Sequence, residues 1–255
     1  MDQPAEVFQQ ILEAAGKDPN ILAFWLDGSR GKGLISPHSD YDCTIIVKDE
    51  VFEEYRHIYE DVGSPEIELS VFTLNAFKEC ATWGTAQAWQ RYNFAHLKTL
   101  VDKTGKVQKL IDEKGTIPPA EIPKFINQSL DHYINQVYRS IKCDRDGQPA
   151  GSRLDAAEGT NPLLDAVFAL SGRLRPYFKY IEWEFENYPL LKLGMDPKDF
   201  LNVLLEILTS GKIKSQQNLF VKMETLFRAE GYGTVFDEWG EKLPWIKEHS
   251  RPESE

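Results

Sequence analysis

Asp40 and Asp42 stand two residues apart where the extended run Tyr41-Asp42-Cys43-Thr44-Ile45-Ile46-Val47 begins. Side chains alternate across a strand, so both carboxylates are expected on one side of it. Two like charges placed together repel and need a cation. A hard divalent ion such as Mg²⁺ answers that need, binding through one or two carboxylates together with substrate phosphates. The complementary part lies upstream, in the glycine-rich loop Asp27-Gly28-Ser29-Arg30-Gly31-Lys32-Gly33. Without a side chain, Gly28 lets the backbone come close to a phosphate, and the Ser29 hydroxyl and nearby amides can donate to its oxygens. A third carboxylate, Glu68, is flanked by Ile67 and Leu69 in the next apolar run. A charge inside such a run is unusual unless it is paired or metal-bound, so Glu68 is expected to be buried and to complete a three-carboxylate cluster once its strand pairs with the one carrying Asp42. Glu66 shares its parity but sits beside Pro65 and is the second choice.

These groups have to be held by strands. Apolar residues at helical spacing over 7–15 predict an amphipathic helix, and Ile21-Leu22-Ala23-Phe24-Trp25-Leu26 predicts the strand that feeds the glycine loop. Further strands are expected over 41–47, 67–74 and 96–101, alternating with helices over 51–59 and 86–94. From about Pro123 the β-branched runs give way to helical patterns over 125–141, 154–172, 176–187, 197–208 and 217–229, with 143–151 read as a loop. The expected architecture is α+β. It has a catalytic domain over 1–120, with a mixed sheet flanked by helices, and an all-α helical domain over 121–255.

The 255 residues carry 29 Lys and Arg against 40 Asp and Glu, a formal charge of −11. No dense basic run appears, which argues against a nucleic-acid partner held through its phosphates, whereas an acidic protein attracts small cations. Three scattered cysteines, Cys43, Cys80 and Cys143, suit neither a disulfide framework nor a cysteine zinc site. The N-terminus lacks the pattern of a signal peptide, and no segment approaches ~18 uninterrupted apolar residues, so a cytoplasmic protein with no membrane span is expected. Two nucleotide motifs fail on inspection. Gly31-Lys32-Gly33 lacks the Ser or Thr that follows the P-loop lysine, and Ser36 stands where a GxGxxG pattern needs glycine.

The run Leu26-Asp27-Gly28-Ser29 followed by Gly31-Lys32-Gly33-Leu34-Ile35-Ser36-Pro37-His38-Ser39-Asp40-Tyr41-Asp42 resembles the GS…PHSDxD signature of aminoglycoside nucleotidyltransferases within the DNA polymerase beta-like superfamily. Glu68 matches that family's third acidic position, and Leu100-Val101-Asp102-Lys103 looks like its strand ending in Asp. More loosely, residues 170–179 are similar to a helical-domain segment of some relatives. The resemblance implies a nucleotidyltransferase domain with Asp40, Asp42 and Glu68 as catalytic and metal-binding residues. Gly28, Ser29, Arg30, Lys32 and Ser39 would contact the nucleotide. Mg²⁺ would be the metal, ATP or another NTP the co-substrate, and the hydroxyl of a small cationic molecule, an aminoglycoside antibiotic first among them, the acceptor. Antibiotic resistance would be the biological setting. A tRNA or protein acceptor, and a catalytically silent nucleotide-binding protein of the same fold, are the alternatives. Arg30 and Lys32 depart from the small or neutral residues usual after Gly-Ser, and either help to hold a triphosphate or face solvent. Glu68 either completes the metal site or accepts the proton of the acceptor hydroxyl.

The remaining residues read more plainly. Cys43 faces away from Asp42 and is expected in the core. His38, His57, His96, His132 and His249 show no ligand spacing. Asp155, Glu158 and Asp165 share roughly one helix face, as do Glu182 and Glu186, and such acids either line a cleft for a polycation or are an ordinary solvated surface.

Overall fold

The computed structural model describes residues 3–60 and 67–249. The chain divides into two compact units, Met1–Pro118 and Pro119–Glu255. The first contains α1 (Gln3–Lys17), β1 (Ile21–Leu26), the single turn α2 (Gly28–Gly31), β2 (Tyr41–Val47), α3 (Phe52–Glu60), β3 (Ile67–Thr73), α4 (Leu74–Glu79), a 3-10 helix (Ala88–Phe94), β4 (Thr99–Asp102) and α5 (Val107–Lys114). The second is all α: α6 (Ile122–Arg145), α7 (Pro149–Glu158), α8 (Thr160–Ala169), α9 (Ile181–Asn187), α10 (Pro197–Ser210), α11 (Ile213–Ala229), α12 (Gly233–Asp237) and α13 (Lys242–Glu248). The fold is α+β.

In the first unit the four strands form one sheet in the order β3-β2-β1-β4. β1 is antiparallel to both β2 and β4, and β2 is parallel to β3, so the sheet is mixed. The two-residue period of β2 divides its side chains between two layers. Cys43, Ile45 and Val47 join Ile11, Ala15, Phe24 and Tyr55 in a core on the face covered by α1 and α3. On the other face Ile46 packs with Ala23, Trp25, Phe77, Phe94 and Val107, beneath α4, the 3-10 helix and α5. Cys43 therefore lies in the core, opposite Asp42.

The helical unit is built on α6, whose residues Ile126, Leu130, Tyr133, Ile134, Val137 and Ile141 recur at helical spacing and are buried. The continuous helix expected over 154–172 is instead two, α7 and α8, broken at Gly159. Pro162 accounts for the break: it lacks the amide that would bond to the Glu158 carbonyl, and its ring clashes with that group. Asp196 caps α10 by accepting from the amides of Lys198 and Asp199, and Gly211 ends it in the left-handed region at φ 64°. The loop expected over 143–151 is shorter than that span, because α6 runs on to Arg145 and α7 begins at Pro149. Among the described residues no helix is long and apolar enough to cross a membrane.

Phe168 is fully buried on α8, stacked 5.7 Å from Phe185. Phe168→Ala is expected to lower the unfolding free energy by about 3–5 kcal/mol, as read from urea denaturation.

Candidate active site

The site begins with the pleat of β2. Asp42 and Thr44 project on the face opposite Cys43, and the parallel register sets Asp42 beside Glu68 and Thr44 beside Ser70. Strands lie about 4.8 Å apart, so the two carboxylates are neighbours across the ladder. Farther along the same face the pair is Ile46 and Phe72. This face is therefore acidic and polar at one end and apolar at the other, and a cavity of about 480 Å³ opens over it. Asp27, Gly28, Asp42, Thr44, Glu68 and Ser70 line its polar end.

Gly28 makes the closest approach. Its φ is +58°, and a Cβ there would lie 2.3 Å from Asp42 Oδ2, so only glycine leaves room for the carboxylate. Gly31 is equally constrained: a Cβ would meet the Leu26 carbonyl oxygen at 2.1 Å. The loop is glycine-rich because side chains have no room at these two positions.

Three expected contacts turn out differently. Glu68 is exposed rather than buried, because the side of β3 that it occupies borders the cavity. Asp40 is exposed too, and it does not line the cavity. β2 starts at Tyr41, so the strand alternation that would have aligned Asp40 with Asp42 does not reach it. Among the described residues no three His, Cys, Asp or Glu side chains converge as a metal cluster. Glu66 lies outside the described residues.

The loop cations neither reach into the cavity nor face solvent. Arg30 donates through Nε and Nη2 to the Ser39 carbonyl at 3.1 and 2.9 Å, and its guanidinium lies 3.8 Å over the Tyr41 ring. Lys32 is buried, and its ammonium donates to the carbonyls of Tyr92, Asn93 and Ala95. Both cations brace the loop, a role that spacing alone does not reveal. Ser29 and Ser39 meet through their hydroxyls at 3.0 Å, and Ser39 also accepts from the Ser36 amide at 2.9 Å, closing the 29–39 loop upon itself.

Sequence reasoning passed over Asp27. Its Oδ1 accepts from Trp25 Nε1 at 2.8 Å and its Oδ2 from Thr44 Oγ1 at 2.5 Å. Burial pushes this carboxyl up to about 6, and the neighbouring charge of Asp42 adds to the rise. The bonds from Thr44 and Trp25, and the charge of Lys32, oppose it. The available signal was an acid between an apolar strand and a glycine. Burial, together with Asp27 and Asp42, also drives the Cys43 thiol up to about 12, which removes it as a nucleophile.

In the helical unit, two of the acids expected to line a cleft have arginine partners. Asp155 accepts from Arg139 at 3.2 Å and Asp165 from Arg175 at 2.8 Å. Glu158, Glu182 and Glu186 are exposed.

Comparison with known proteins adds a distant likeness. The chain is 25% identical over 171 residues to a bifunctional uridylyltransferase/uridylyl-removing enzyme of Pseudomonas putida (strain W619). The match covers 60% of this chain and 19% of the relative, so this chain corresponds to a minor part of that protein. A nucleotidyltransferase-like protein from Exiguobacterium sibiricum 255-15 superimposes with a TM-score of 0.43 at 12% identity, covering 96% of this chain and 86% of that one. No family profile matches.

The raised Asp27 carboxyl has a consequence for stability. An acid whose pKa is higher in the folded than in the unfolded chain, where it is about 3.9, binds more protons when folded. Its contribution is therefore full below about pH 4, declines as pH rises towards 6, and is constant above that. Relative to Asp27→Asn, the wild-type protein is expected to lose roughly 2–3 kcal/mol across this window. Urea denaturation of both proteins at intervals from pH 4 to 8 measures the difference.

Proposed function

We propose that this protein is a Mg²⁺-dependent nucleotidyltransferase. It would transfer a nucleoside monophosphate, AMP from ATP, to a hydroxyl of a small cationic acceptor, for which an aminoglycoside is the first candidate. The observation that carries this reading is the in-register pair Asp42 and Glu68 beside the close approach of Gly28, at the polar end of one cavity. The glycine-serine and Ser-Asp-Tyr-Asp signature supports it, as does the likeness to a uridylyltransferase. The acidic balance of −11 favours a cationic acceptor.

The residues fit the metal in the sense that Mg²⁺ needs only one or two carboxylates when substrate phosphates complete its shell. Asp42 would supply one, with Asp40 at the margin, which leaves Glu68 to act as the base. Bound there, Mg²⁺ would neutralise charge on the triphosphate and on the departing pyrophosphate. The rest falls to the chain itself. Gly28 leaves the Asp42 carboxylate room at the polar end of the cavity, where the triphosphate would sit, and the Ser29–Ser39 hydroxyl contact holds the loop beside it. The acceptor oxygen attacks the α-phosphorus, forming the new O–P bond as the bond to the β-phosphate oxygen breaks and pyrophosphate leaves. The hydroxyl proton passes to the Glu68 carboxylate, which is exposed to the cavity. Positioning and electrostatics supply most of the acceleration, and no covalent enzyme intermediate is needed. The relative's uridylyl chemistry makes UTP the second donor, and a protein acceptor the second acceptor class, to examine.

Incubation with α-³²P-labelled nucleotides and a panel of aminoglycosides is expected to yield a labelled acceptor and pyrophosphate. Asp42→Asn and Glu68→Gln are each expected to reduce the rate by about 10²- to 10⁴-fold with unchanged circular dichroism. Undiminished transfer by either variant, or a wild-type protein that labels neither a small-molecule nor a protein acceptor, would refute the reading.

A further inference from the structure

The far end of the cavity has a different chemistry from its acidic end. Phe72 is half-buried there, backed by the buried rings of Trp25, Phe77 and Phe94, and Gln90 and Asn93 supply two carboxamides. Both carboxamides come from the 3-10 helix Ala88–Phe94. That helix has three residues per turn, so side chains three apart eclipse each other and point the same way. Gln90 and Asn93 thus share one edge, while Arg91, Tyr92 and Phe94 are buried. Among the described residues neither carboxamide is bonded to another protein group, which leaves their donors and acceptors open to the cavity.

This edge is held firmly. Lys32, from the glycine loop, grips the backbone at Tyr92, Asn93 and Ala95, and its ammonium sits 4.8 Å over the Tyr92 ring. On the other side Arg91 donates to the carbonyls of Ala81, Glu113 and Thr116 at 3.2, 2.6 and 3.0 Å. The two buried cations fix the carboxamide edge relative to the loop that carries Gly28.

An apolar end of the cavity with carboxamides along one edge suits a planar heterocycle that presents a hydrogen-bond donor next to an acceptor. Asn and Gln pair bidentately with adenine, whereas guanine is read by Arg or Lys. Among the described residues none of the side chains lining the cavity is cationic. We infer that Gln90 and Asn93 are specificity-determining residues that grip the adenine base of the donor nucleotide, with Lys32 as the positioning residue that sets their edge. This inference rests on the nucleotidyl-transfer reading and adds to it the residues that select the base.

The test is isothermal titration of the full chain, in Mg²⁺, with the α,β-methylene analogues of ATP, GTP, CTP and UTP. Wild-type protein is expected to bind the ATP analogue about tenfold or more tightly than the GTP and UTP analogues. Gln90→Leu/Asn93→Leu should bring the four affinities to within about threefold of one another. The near-isosteric Gln90→Glu, which exchanges a donor for an acceptor, should erode the preference without disturbing the fold. Equal binding of all four by the wild type, a preference for another base, or an ATP preference that survives both variants would overturn the inference alone. Failure of the wild type to bind any of the four would overturn the nucleotidyl-transfer reading and the inference with it.

Discussion

The first unit depends on the register between β2 and β3. Parallel pairing places Asp42 directly beside Glu68. A slip of one residue would turn Asp42 into the core occupied by Cys43, Ile45 and Val47, and would turn the Cys43 side chain to the cavity face. The apolar half of β2 therefore fixes where the acidic half must point. Hydrophobic burial on one face thus sets the placement of the acidic side chains on the other.

The same unit uses buried cations to stabilise irregular backbone. The segment between α4 and β4 forms little regular ladder, and its carbonyls need donors. Lys32 donates to those of Tyr92, Asn93 and Ala95, Arg91 to that of Ala81, and Lys114 to that of Cys80. Burial lowers the pKa of both Arg91 and Lys114, so a charge on either carries an electrostatic cost that the carbonyls offset. The result is a rigid wall along the cavity, built from side chains that composition alone would assign to the surface.

Much of this was legible in the residues. The runs 21–26 and 41–47 became strands, as did 67–74 up to Thr73, because β-branched and aromatic runs bounded by Gly, Pro and Ser have few alternatives. The Asp42–Glu68 juxtaposition followed from parity together with strand pairing. Partner choice was not legible. Whether Lys32 meets a phosphate or the carbonyls of residues 92–95, some 60 positions away, depends on tertiary packing that no local pattern encodes. Asp40 illustrates the limit of periodicity: alternation places a residue only within the ladder, and the ladder starts one residue later. In the helical unit Pro162 marked the break at Gly159, yet the periodic apolar residues on both sides concealed it. The 3-10 geometry of 88–94, which groups Gln90 with Asn93, has no sequence signature distinct from that of a short α-helix.

The most direct test of the account is the thermal unfolding midpoint with saturating ATP, measured with and without Mg²⁺ for the wild type and for Asp42→Asn. A ligand at ~100 times its dissociation constant adds about 2.7 kcal/mol, which for a protein of this size raises the midpoint by roughly 5–10 °C. The account predicts that rise for the wild type only when Mg²⁺ is present, and its loss in Asp42→Asn. A rise independent of both the metal and Asp42, or no rise in the well-folded wild type, would contradict the claim that the carboxylate pair and the glycine loop form a metal-triphosphate site.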